Sequence, residues 1–367
     1  MFLKDLELHQ FKNLKQVSVS FSERINLFYG DNGAGKTNLL DAIHLLSFGK
    51  SHFHLSDSAL TQDGMDFYRL SGAYEDLSSG NSLRVSAKYK RDSRRVFEIN
   101  GKKIGQVKNL LGKNPLVLVA PDDISLVYGG SLERRDYINR ILCQSDKEYL
   151  DGLMRYNRIL RQKDALLKSD RRPGSLEVEA YNAQLAPLAN NLYNIRNEQI
   201  EKLNTTIQFH YNALSSNKEE IELVYESQLG NGPALDLYNQ MVGQEIAVRR
   251  PLIGIQKDDI QILIGGKTFK KFGSQGQVKS LLYAMRMAEY QYLAEFLNRK
   301  PILMLDDYFE KLDGNRLTVL LRIINDDSFG QIFLTDIELG RSQKILDTHT
   351  IAYQAFQVRD GALVSNS

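Results

Sequence analysis

The sequence predicts an α/β fold, with a phosphate-binding loop near one end, an acidic strand near the other and a helical stretch between them. Three observations carry this. An apolar stretch, Ile25 to Tyr29, runs into Gly30-Asp31-Asn32-Gly33-Ala34-Gly35-Lys36-Thr37, which fits the phosphate-binding loop G-x-x-x-x-G-K-[ST]. An apolar helical pattern follows at once (Leu39, Leu40, Ala42, Ile43, Leu45, Leu46). Much later, Pro301 to Leu305 reads as a buried strand that ends in two carboxylates, Asp306 and Asp307, and between the two strand-rich ends lies a long stretch of helical periodicity.

Taken in order, residues 1–30 read as short alternating strands, marked by Leu3, Leu6, Leu8 and Phe11, then Val17, Val19 and Phe21. Residues 66–105 read as further strands, with polar turns at Asp76 to Asn81 and at Asp92-Ser93, and Asn100-Gly101 as a tight turn. Val117 to Ala120 is a short buried strand stopped by Pro121. From Ser131 to about Asn217 helices dominate: Leu150, Leu153, Met154, Asn157, Leu160 and Leu167 recur at three- and four-residue spacing, Arg172-Pro173-Gly174 breaks the run, and Ala180 to Leu214 restarts it. Two such helices make either an antiparallel arm or an ordinary packed pair, and the pattern leaves both open. Strands return at Ile221 to Tyr225, Ile260 to Ile264, Ile302 to Leu305 and Ile332 to Leu334. The expected division is a split head, 1–128 with 251–367, around a mostly helical lobe, 129–250.

Bulk properties narrow the function classes. The 367 residues are 42% hydrophobic and 25% charged, enough for a substantial core in a soluble protein. No apolar run reaches the roughly 18 residues of a membrane span, and the N-terminus lacks the pattern of a signal peptide, so a cytoplasmic protein without membrane contact is expected. The one cysteine, Cys143, excludes an internal disulfide and reads as a packing residue; the 6 histidines show no metal-ligand spacing. Net charge is only +2, but it is uneven. Between Arg84 and Lys108 stand 9 basic residues against Asp92 and Glu98, and between Arg155 and Arg172 stand 7 against Asp164 and Asp170. Each is either a phosphate-tracking face or a solvated surface.

The chemistry expected of these residues is that of nucleotide triphosphates. Glycines let backbone N–H groups converge on phosphate oxygens, and the following helix adds its positive end. Lys36 would neutralise the β- and γ-phosphates, the Thr37 hydroxyl and Asp306 would hold Mg2+, and Asp307 would act as general base on the attacking water. Such a site calls for the acidic strand beside the loop. Phe272-Gly273-Ser274-Gln275-Gly276-Gln277 opens a helix, either as a second phosphate-facing N-terminus or as a plain N-cap by Ser274.

The order of these pieces resembles the ATP-binding-cassette ATPases. Ser274, Gly276 and Gln277 resemble the family signature and Leu312-Asp313 its D-loop; Thr335-Asp336 lies where transporters of that superfamily carry a switch histidine. Within it the chain resembles the RecF family of recombination-repair proteins over nearly its full length. The likeness rests on LELHQFKNLKQVSVSF, GDNGAGKTNLLDAIHLLSFGKS, PDDISLVYGGSLERRDYINRIL, FGSQGQVKSLLYAMRMAEY and LMLDDYFEKLDGNR followed by QIFLTD. One stretch departs: Gly254-Ile255-Gln256-Lys257-Asp258-Asp259 stands where the family has a Gly-Pro-His-Arg-Asp-Asp-like run.

The resemblance implies an SMC-like ABC-type head without a long coiled coil. ATP with Mg2+ is its cofactor, contacted by Gly30, Asp31, Asn32, Gly33, Ala34, Gly35, Lys36, Thr37 and Asn38 and, from a second copy, by Ser274, Gly276, Gln277 and Asp313. Thr335 would touch the γ-phosphate weakly, in keeping with slow hydrolysis. It further implies an ATP-dependent homodimer on gapped DNA at junctions of single and double strands, with RecR and RecO as partners in loading recombinase. Lys88, Arg91, Arg94 and Arg95 would contact the DNA backbone. A nuclease-associated ATPase of the same type is the alternative, and would need an acidic or histidine metal cluster. A transporter subunit would lack the helical lobe and the basic hairpin.

Overall fold

The computed structural model describes residues 1–76, 80–215, 219–307 and 314–365. It falls into two compact units, Met1–Asp123 with Glu289–Ser367, and Ile124–Ala288.

The first unit holds two six-stranded sheets. One is antiparallel, in the order β2-β1-β4-β5-β6-β7, from β1 (Phe2–Phe11), β2 (Leu14–Ser20), β4 (Phe67–Glu75), β5 (Ser82–Lys90), β6 (Val96–Ile99) and β7 (Lys102–Lys103). Its strands alternate because one face is wet: in β1, Leu6 and Leu8 are buried while Glu7 and His9 are exposed. The other sheet runs β15-β14-β3-β13-β12-β8, from β3 (Ile25–Tyr29), β8 (Leu116–Val119), β12 (Ile302–Leu305), β13 (Ile332–Asp336), β14 (Tyr353–Arg359) and β15 (Ala362–Ser365). All of its pairings are parallel except that of β14 with β15. β3, β8, β12 and β13 are buried along their whole length, which explains their unbroken apolar runs.

The helix Lys36–Phe48 packs into the core of this unit, with Leu39, Leu40, Ile43 and Leu46 joined to Leu6, Leu8 and Phe11 of β1 and to Phe28, Met304 and Phe333 of the parallel sheet. Phe21, Phe28, Phe333 and Phe356 form one aromatic cluster with centroids 4.9–5.8 Å apart.

The second unit is built on three helices, Ser131–Ser145, Lys147–Lys168 and Ser175–Leu214. The latter two are antiparallel: Lys163 Nζ reaches Asn182 Oδ1 at 2.6 Å, and Arg196 Nε donates to the Tyr149 hydroxyl at 2.9 Å. The 40-residue helix runs on through Pro187. The buried positions of its partner are Tyr149, Leu150, Tyr156, Ile159, Lys163 and Leu167, whereas Met154, placed on the apolar stripe by its spacing, is 47% exposed. A three-stranded sheet, β11-β10-β9, completes the unit, from β9 (Ile221–Glu226), β10 (Asp259–Ile264) and β11 (Lys267–Thr268). This unit extends to Ala288 rather than ending near 250, because β10 pairs along its length with β9, from Asp259↔Glu226 to Ile264↔Ile221.

The stretch that departs from the family pattern staples the unit together. Asp258 accepts from the buried Arg196 at 3.0 Å, Asp259 is gripped by the Arg134 fork at 2.8 and 2.9 Å, and Gln256 accepts from the Tyr156 hydroxyl. Gly254 lies at φ 124°, and a Cβ there would stand 2.1 Å from the Tyr156 oxygen. Cys143 is half-buried on the first of the three helices.

Candidate nucleotide-binding site

The phosphate loop leaves β3 at Tyr29 and enters the helix at Lys36. Gly30, at φ 150°, passes so close to β14 that a Cβ would lie 2.1 Å from the Val358 carbonyl oxygen; Gly35, at φ 120°, would meet Leu14 Cδ2 at 2.8 Å. Asp31, Asn32 and Gly33 are exposed at the loop's crest. Lys36 is 5% exposed, and its ammonium donates across the loop to the carbonyls of Gly30 at 2.6 Å and Asp31 at 3.0 Å.

Two turns remote from it in sequence hold this loop from outside. Between β1 and β2, Asn13 Nδ2 donates to the Gly33 carbonyl at 3.0 Å while its Oδ1 accepts from Asn38 Nδ2 at 2.8 Å. Between β14 and β15, the Gly361 N–H donates to the Ala34 carbonyl at 3.1 Å. Asn38 therefore braces the loop through Asn13. Beside Asn13, Lys12 forms a 2.6 Å ion pair with the fully buried carboxylate of Asp41, which also accepts from Ser51 Oγ at 2.8 Å and from the His52 N–H at 2.7 Å.

The acidic strand is not the loop strand's neighbour. β13 stands between β3 and β12 in the sheet. Even so, the Thr37 hydroxyl lies 3.0 and 3.2 Å from the two carboxylate oxygens of Asp306. The interposed strand contributes Thr335, wholly buried, whose hydroxyl donates to Asp306 Oδ1 at 2.8 Å and accepts from the Asp307 N–H at 2.7 Å. Asp307 has φ 48°, left-handed backbone that only a few non-glycine residues adopt. Thr37, Asp306, Asp307 and Thr335 thus form one cluster at the mouth of the loop. Hydroxyl and carboxylate oxygens are the hard donors that suit Mg2+, so the residues present fit that ion.

Ser274, Gly276 and Gln277 belong to the second unit. Ser274 is exposed and caps the helix Gln275–Leu297 in a reciprocal box: the Gln277 N–H donates to Ser274 Oγ at 3.3 Å and the Ser274 N–H to Gln277 Oε1 at 2.6 Å. Gln277 Nε2 is in turn fixed on the Glu219 carboxylate at 2.7 and 2.8 Å. Asp313 lies outside the described residues.

The basic residues are less free than their number suggests. Lys88 bonds Glu98 at 2.7 Å, and that bond holds the glutamate below the usual carboxylate range. Arg91 pairs with Asp66 at 3.0 Å. Arg95 turns inward, to Asp57 at 2.9 Å and to the Gly49 carbonyl at 3.0 Å, where it ties the end of the helix Lys36–Phe48. Arg94 is exposed and makes no hydrogen bond or ion pair among the described residues. In the second patch Lys163 is fully buried against Glu245 at 2.6 Å, so it belongs to the core and not to a surface; Arg155, Arg158 and Arg161 are exposed. No group of three or more metal-ligating side chains occurs among the described residues, and none of their helices is long and apolar enough to cross a membrane.

A parallel sheet with a glycine loop on one strand and paired acids two strands away defines a P-loop ATPase head of the SMC type. The profile described as RecF/RecN/SMC N terminal domain matches residues 2–359. The chain is 36% identical to the DNA replication and repair protein RecF of Bacteroides fragilis, over 99% of this chain and 98% of that one, and 33% identical to its counterpart from Porphyromonas gingivalis, over 99% and 100%. A structure titled "Structure of the recombination mediator protein RecF-ATP in RecFOR pathway" superposes with TM-score 0.88 at 27% identity, covering all of this chain and 98% of that one. An SMC head domain from Pyrococcus furiosus shares the fold at TM-score 0.59 and 16% identity, covering all of this chain and 96% of that one. The chain belongs to the RecF family.

Proposed function

We propose that the protein is an ATP-dependent DNA clamp of recombinational repair. ATP enters at the phosphate loop, a second copy closes on it, and slow hydrolysis lets the pair open again. The observation that carries this reading is the convergence of Lys36, Thr37 and Asp306 at one loop mouth. Full-length kinship with RecF proteins, one of them solved with ATP, supports it.

In this reading Lys36 exchanges the Gly30 and Asp31 carbonyls for β- and γ-phosphate oxygens. Thr37 and Asp306 would hold Mg2+, which would supply positive charge against that developing in the reaction. The Asp307 carboxylate accepts a proton from the attacking water. Ser274 of the second copy donates its hydroxyl proton to the γ-phosphate while a lone pair still accepts from the Gln277 N–H, and Asp313 of that copy contributes as well. The clamp embraces gapped DNA at junctions of single and double strands, and RecR and RecO act with it in loading recombinase. Arg94 contacts DNA phosphate directly. Lys88 and Arg91 are held by partly exposed ion pairs, which are weak enough to yield to phosphate. Arg95 serves the head's structure instead. Such contacts position without reading sequence.

Light scattering with saturating ATP and Mg2+ and a gapped duplex tests this. Protein mass per complex should double for the wild type. Lys36→Ala should stay single, and Ser274→Arg should bind ATP yet stay single. A wild-type protein that remains single under these conditions overturns the reading.

A further inference from the structure

Building on the nucleotide-binding reading above, we propose that Thr335 is a positioning residue that aims both acids of the site, rather than a contact to the γ-phosphate. A threonine hydroxyl has one proton and two lone pairs. Here the proton goes to Asp306 Oδ1 at 2.8 Å and one lone pair receives the Asp307 N–H at 2.7 Å. The proton is therefore committed. Donating it to a phosphate oxygen would release Asp306.

One bond goes to the Asp306 carboxylate and the other to the peptide that joins Asp306 to Asp307. The Asp306 N–H still follows the sheet and donates to the Val119 carbonyl at 2.9 Å, but at Asp307 the chain swings to φ 48° and its N–H leaves the ladder. Thr335 supplies the acceptor that N–H needs, so the hydroxyl holds the bend that separates the directions of the two side chains. Thr335 is completely buried on β13, and a rigid strand fixes its own position. Through Asp306 the chain of bonds continues to Thr37 Oγ1, so β12, β13 and the helix after the loop share one network. Groups that orient a metal-binding carboxylate typically change metal affinity or activity by roughly 10–100-fold when removed.

The test uses the full-length protein, fluorescently tagged ATP and ADP, and a Mg2+ titration. Thr335→Val keeps shape and removes the hydroxyl; Thr335→Ser keeps the hydroxyl and removes the methyl. For Thr335→Val the Mg2+ needed for half-maximal ATP binding should rise, and kcat should fall, each by roughly 10–100-fold. ADP and ATP affinities measured in excess EDTA should change alike. Thr335→Ser should recover most of both losses. The proposal is overturned if Thr335→Val keeps the wild-type Mg2+ requirement and kcat. It is equally overturned if Thr335→Val loses ATP affinity relative to ADP in EDTA, the mark of a phosphate contact. If Thr335→Ser is as impaired as Thr335→Val, packing and not the hydroxyl is responsible, which also sinks it; should Thr335→Val not fold, the serine variant decides alone, and strong impairment there counts against the proposal. Wild-type protein that shows no Mg2+-dependent nucleotide binding would overturn the earlier reading, and this one with it.

Discussion

His44 lies inside the helix that follows the phosphate loop, its ring stacked on Phe48 at 4.5 Å and edge-on to His52 at 5.4 Å. Burial, with a smaller contribution from His52, pushes its pKa down from 6.5 to about 3. Well above pH 6.5 neither the folded nor the unfolded chain carries this proton, so its titration leaves stability unchanged. Between pH 6.5 and about 3 the unfolded chain is protonated and the folded one is not, so stability falls as acid is added. The slope is about 1.4 kcal/mol per pH unit. Denaturant unfolding at pH 7.5 and 5.5 should therefore show the wild type losing about 1 kcal/mol more than His44→Gln; equal losses would show that His44 is not the source. The residues that touch phosphate in the proposed function were legible in the sequence, since Gly30 to Thr37 is a continuous motif. Asn13, which braces that loop, was not, because its partner Gly33 lies 20 residues away on another element. Thr335 was picked out by its place in the motif order, but only the folded chain shows what its hydroxyl bonds.

Among the elements, the helix pair Lys147–Lys168 and Ser175–Leu214 shows how a correct period can carry a misplaced residue. Lys163 was counted with the surface cations, yet it and Glu245 are both fully buried and meet at 2.6 Å, with Asn182 as a further partner. Burial lowers the lysine's pKa, and the bond to Glu245 only partly offsets this. A lysine inside an apolar stripe reads as solvated until the carboxylate opposite it is known, and here that carboxylate comes from a short helix, Val242–Val248. Lys163→Met leaves Glu245 buried and unpaired and should cost about 3–5 kcal/mol, whereas adding Glu245→Met should restore most of that stability. Urea melts of the single and double variants check it; a double variant no better than the single would mean the pair's charges are not what matters. The strands β3, β8, β12 and β13 were legible for the opposite reason, because strands buried on both faces show uninterrupted apolar runs. β14 and β15 were missed: Tyr353 to Arg359 mixes Gln and Arg with its apolar residues and gives no such run.

For the whole molecule, the order of motifs along the chain announced that distant segments must meet, and the fold class followed from it. The division between units was less legible, since the pairing of β9 with β10 is a long-range contact that local patterns do not encode. The parallel sheet has one feature with consequences for how the protein is made. β3, which carries the phosphate loop, is flanked by β13 and β14, both contributed by the last part of the chain. A variant ending at residue 330 should therefore aggregate and fail to bind tagged ATP; soluble, ATP-binding protein would show that β3 finds other neighbours. On the ribosome, β3 emerges well before either of its neighbours and waits for them while the strands and helices between β3 and β13 are translated. Completion of the loop's sheet waits on β13 and β14, so a chain terminated before them carries the ATP motif but lacks the sheet that gives it shape.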